Sequence, residues 1–68
     1  MSLRPIQARL LQMYKKSLGA MSSKEAFFLS LNYEWLAETE PESKMKAHFS
    51  NECNVFLNYS SILELNGE

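Results

Sequence analysis

Residues 45–63, MKAHFSNECNVFLNYSSIL, place Met45, Phe49, Cys53, Phe56, Tyr59 and Leu63 at successive intervals of three and four. At about 100° per residue these side chains form one stripe, backed on the far side by Lys46, Ser50, Asn54, Asn58 and Ser61. That period is helical, because a strand would alternate its faces every second residue. Upstream, Thr39, Pro41 and Glu42 read as a helix start, with a capping hydroxyl, an early proline and a carboxylate reaching back. Asn66-Gly67 reads as the stop, so a helix is expected over 41–64.

The same reading extends towards the N-terminus. Ser22 and Glu25 have the spacing of a capping box and open a helix expected over 22–38. Its bulky apolar residues fall in two arcs, Phe27, Phe28, Leu31 and Trp35 on one and Leu29, Tyr33 and Leu36 on the other. Two arcs imply a helix held between two neighbours. Over residues 3–18, Leu3, Ile6, Leu10, Leu11, Met13, Tyr14 and Leu18 share one side, and Arg4, Arg9, Gln12, Lys15 and Lys16 the other. Pro5 fits the first turn of that helix and Gly19 the position after its end. Short connections between the three predict an all-α fold, a compact three-helix bundle with helix 2 at its centre, as one domain over 1–68.

A chain of 68 residues lies near the lower size limit for a core that stands alone. Its apolar fraction of 46% argues against intrinsic disorder, and a single cysteine excludes a disulfide within one chain. The added stabilisation is therefore expected from another polypeptide, a second copy or a different protein. No cofactor or metal is expected, and with no Asp in the chain a Ser/His/Asp triad is excluded. An apolar run long enough for a membrane span is missing, as is the apolar block of a secretory signal, which predicts a cytoplasmic chain. Residues 1–23, basic and free of acid, also have the composition of an organellar transit peptide.

The formal net charge of −1 hides a sharp polarity. Arg4, Arg9, Lys15, Lys16 and Lys24 stand in the first 24 positions with no acidic residue among them, and Glu25, Glu34, Glu38, Glu40 and Glu42 follow with no base. A basic helix face could meet phosphates, an anionic membrane or an acidic protein surface, or be neutralised by the Glu-rich end of helix 2. The sequence pI of about 5.8 ranks nucleic acid low.

Residues 36–49 look superficially like a helix-turn-helix, with Ala37 and Ala47 at the small positions, Pro41 at the turn and Ser43 opening the second helix. Glu40 and Glu42 stand where that motif buries apolar side chains and would face phosphate with the wrong sign. His48, Glu52 and Cys53 lie close on helix 3 but lack the further His or Cys of an ordinary metal site. Glu52 is the odd member, since by angle it points into the apolar stripe and needs either a basic partner or exposure.

Met13-Tyr14-Lys15, followed by Leu18 and with Phe49 downstream, is similar to the Leu-Tyr-Arg triplet of a family of small helical mitochondrial assembly factors. Two of the three triplet positions are substituted, and the likeness is not taken as membership. It would imply a three-helix adaptor that docks on an acyl-carrier or iron–sulfur assembly partner. The function expected from the residues is a small non-enzymatic protein–protein interaction module, a regulator, adaptor or inhibitor. Arg4, Arg9, Lys15, Lys16, Tyr33 and Trp35 are its expected contact residues. The alternative is a small DNA-binding regulator using the degenerate helix-turn-helix.

Overall fold

The computed structural model describes residues 3–68; the first two positions of the domain expected over 1–68 lie outside the described residues. Three helices follow in order, α1 (Pro5–Leu18), α2 (Ser23–Thr39) and α3 (Ser43–Leu65), and the fold is all-α. Each boundary has a local cause. Pro5 occupies the first turn of α1, and the Gln7 side chain accepts from the Arg4 N–H at 3.0 Å. Ser22 caps α2, its hydroxyl accepting from the Glu25 N–H at 3.2 Å.

The start of α3 differs from expectation. Thr39 does not cap it, because the Thr39 hydroxyl donates back to the Trp35 carbonyl at 3.0 Å and so belongs to the last turn of α2. Pro41 falls in the loop, and Glu42 is the N-cap residue without a side-chain cap bond. At the other end of α3 the stop is as expected. Gly67 (φ 79°) lets the Glu68 N–H reach the Leu63 carbonyl at 2.8 Å and the Gly67 N–H the Glu64 carbonyl at 3.1 Å. Those two bonds make a Schellman motif.

α2 and α3 run antiparallel along the full length of α2. Near the base of this hairpin the Ser60 hydroxyl donates to the Ser23 carbonyl at 2.9 Å, and further up Tyr33 stacks on Phe56 with ring centroids 5.6 Å apart. The face of α2 turned to α3 carries small residues, Ala26, Ser30 and Ala37, all buried. Small side chains let the two backbones approach closely, which is why α3 lies over the gap between the two bulky arcs of α2. At Ala26, with no exposed surface, a larger side chain has nowhere to go. Ala26→Leu is expected to destabilise the fold by about 1–3 kcal/mol through overpacking, read as a lower urea midpoint at unchanged slope.

The backbone of α1 comes close to α3 and not to α2, so the central element is α3 rather than helix 2. The reason is chain geometry. At 23 residues α3 is about 34 Å long, and only its C-terminal half is left for α1 to lie on once the chain has turned at Gly19. Leu11, Ala26, Phe56, Tyr59, Ile62 and Leu63 form the core there, with Leu10, Tyr14, Leu18 and Leu29 against it. The opposite end is a bare two-helix tip. The molecule is accordingly elongated, 41 × 19 × 17 Å, and its radius of gyration of 12.8 Å exceeds the roughly 11 Å of a rounded domain of this length.

One polar contact locks the base. Tyr59, fully buried, donates its phenol to the Gly19 carbonyl at 2.9 Å, and its ring lies 5.2 Å from that of Tyr14. Burial pushes the Tyr59 phenol up, so it remains the protonated donor this bond requires. Gly19 itself has φ 88° and ψ 159°, a backbone region open essentially only to glycine.

Candidate functional site

Side chains that a folded monomer leaves uncovered define the candidate surfaces; α2 and α1 carry most of them, and α3 adds Met45 and Leu57. On α2 the first bulky arc faces solvent: Phe28 is 67% exposed, Trp35 63%, Phe27 45% and Leu31 43%. The second arc, Leu29, Tyr33 and Leu36, is half-buried. The sandwich expected for this helix is therefore half made, because α3 sits between the arcs and α1 covers neither fully. Trp35 and Tyr33, two residues apart, stand on opposite faces. Trp35 is outward, and Tyr33 is packed on Phe56 and within 6.2 Å of Phe49, so Tyr33 is an inner residue and not an exposed anchor.

On α1, Leu3, Leu10, Tyr14 and Leu18 lie against the core as expected, but Ile6 and Met13 do not. Both sit at the flank of the apolar arc, and α3 is too narrow to cover it. Ile6 is 74% exposed and Met13 61%. At spacings of three and four they alternate with Arg9 and Lys16, also exposed, so that Ile6, Arg9, Met13 and Lys16 form one stripe. Arg4 is exposed at the start of the same helix.

Lys15 is drawn out of the basic set. Its ammonium lies 3.0 Å from both carboxylate oxygens of Glu68, the one ion pair among the described residues. The Asn66 amide, at 2.7 Å, and the Lys15 ammonium hold the Glu68 carboxyl below the usual carboxylate range. This pair, and not the Glu-rich end of α2, is what α1 neutralises. Glu34, Glu38, Glu40 and Glu42 gather towards the hairpin tip, while α1 ends at the base, where Gly19 meets Tyr59.

Residues 36–49 form the hairpin tip. A helix-turn-helix crosses its two helices at roughly 90–120°, whereas α2 and α3 lie side by side. His48 is exposed, Glu52 one turn further along the same face is half-buried, and Cys53 is half-buried to the side of both. Cys53 is a free thiol in a shallow cleft with Glu34, Ala37, Glu38 and Lys46. Among the described residues no group of three or more His, Cys, Asp or Glu converges. Glu52 has reached neither an ion pair among the described residues nor full exposure. No described helix is long and apolar enough to cross a membrane.

No protein-family model, no curated protein and no solved structure matches this chain.

Proposed function

We propose that the chain is a small non-enzymatic docking module that seats the outward stripe of α1 on an acidic, partly apolar surface of another protein. The observation that supports the reading is the pairing on one stripe of two exposed apolar side chains, Ile6 and Met13, with two free cations, Arg9 and Lys16. Apolar contact supplies affinity, and the cations set approach and orientation. An acidic partner is favoured because the rest of the surface is acidic, which repels phosphate polymers while leaving this stripe attractive to a localised carboxylate cluster. The setting that fits is the cytoplasm, where a lone thiol such as Cys53 stays reduced.

The test uses a photo-crosslinking residue at Met13 in the full chain, expressed in its own cells, with adducts identified by mass spectrometry. One protein adduct through an acidic region is expected, reduced at least about fivefold by Arg9→Glu with Lys16→Glu and weakened by added salt. An adduct that persists in that double variant overturns the reading. Titration of the chain with anionic vesicles and with duplex DNA separates the rivals. Vesicle binding assigns α1 to a membrane surface. Duplex binding that falls steeply with salt and is lost in Arg9→Glu assigns the chain to DNA-binding regulators.

A further inference from the structure

We infer that the bare arc of α2 is a self-association surface on which a second copy of this chain packs its own α2, antiparallel, about a two-fold axis beside Leu31. The arc is continuous: Lys24, Phe27, Leu31, Trp35 and Glu38 follow at spacings of three and four, Phe28 flanks them, and all six are exposed. Such a line meets a helix partner along its length.

The order of residues along the line identifies the partner. Lys24 lies seven residues before Leu31 and Glu38 seven after it; Phe27 lies four before and Trp35 four after. Rotating a second α2 by 180° about Leu31 sets each Lys24 level with the Glu38 of the other copy. It also sets Phe27 level with the opposing Trp35, Phe28 within one residue of it, about 1.5 Å along the axis, and Leu31 against Leu31. A two-fold contact uses one patch on both subunits and must therefore be complementary to itself, as this line is. A parallel pairing fails the same condition, since it puts Lys24 beside Lys24 and Glu38 beside Glu38.

Size sets how strong the association is. A helix of 17 residues is about 25 Å long, and one helix face buries less than the roughly 800 Å² per partner of a standard interface. Reversible dimerisation in the micromolar range is the expected regime, driven by the aromatic residues and aligned by the charges. The surface is separate from the α1 stripe, so the dimer presents two copies of that stripe, and the inference stands whatever α1 binds.

Sedimentation equilibrium on the full chain, over a hundredfold concentration range, reads the association directly. A monomer–dimer equilibrium is expected. Leu31→Glu should abolish it, while far-UV circular dichroism and the melting temperature of the monomer stay those of the parent. Lys24→Glu alone and Glu38→Lys alone should each weaken dimerisation about tenfold, since each reversal creates two like-charge contacts across the axis. The double variant Lys24→Glu/Glu38→Lys should restore it to within about twofold. A chain monomeric throughout, a dimer that survives Leu31→Glu, or single reversals not rescued by the double variant each overturn the inference.

Discussion

Truncation of Tyr59 to alanine is expected to remove a large share of the stability of the fold. The ring is fully buried, touches Tyr14 and anchors the turn at Gly19. Removing an aromatic side chain from such a site costs about 3–5 kcal/mol, and a domain of this length has a total stability of roughly 3–10 kcal/mol. The conservative variant separates packing from polarity. Tyr59→Phe keeps the ring and loses only the bond to the Gly19 carbonyl, for which about 1 kcal/mol is expected. Urea denaturation followed by circular dichroism measures both. Equal losses in the two variants would mean that the hydrogen bond, and not the ring, holds the base together.

The second large effect is a contrast along one stripe. Leu63 and Met45 occupy the same face of α3, but Leu63 has no exposed surface and Met45 is 39% exposed. Leu63→Ala is expected to destabilise by about 2–5 kcal/mol, because the core around it cannot collapse into the space. Met45→Ala should cost well under 1 kcal/mol, in the range of surface substitutions. Comparable losses at both sites, measured as urea midpoints under identical conditions, would show that the hairpin tip is packed in solution. That is the result a dimer covering the tip would give.

Element type was legible in the residues, because Pro5, Gly19, Ser22 and Gly67 punctuate helices whose periodicity is unbroken. Arrangement was less so, and α2 shows why. Counting bulky residues finds two arcs and places a neighbour on each. The true contact face lies between them, written in Ala26, Ser30 and Ala37, whose small size is what brings α3 close. Small residues at spacings of four and seven are the signal that would have located it. The same displacement turned Phe28 and Trp35 outward and Tyr33 inward. On α1 the basic residues were legible as a set, but removal of Lys15 from it depends on Glu68, 53 positions away. No local pattern encodes a contact of that kind. The flank position of Ile6 and Met13 was visible in their angles and becomes exposure only because α3 covers a narrower strip than the arc.

The one-ended core also governs the order in which the molecule can assemble. The α2–α3 tip closes through a loop of three residues, but its helices meet there with little apolar surface to hold them. The contacts that hold the base join residues far apart in the chain: Ser60 with Ser23, 37 positions away, and Tyr59 with Gly19, 40 positions away. Long closures must be made before they are rewarded, which slows their formation relative to the hairpin turn. α1 is expected to dock last, on a hairpin already aligned, with its contacts absent from the folding transition state. Interactions of that late kind govern how fast the native chain opens and leave the folding rate almost untouched, so substitutions on the core face of α1 are expected to speed unfolding in stopped-flow measurements with the folding rate nearly unchanged.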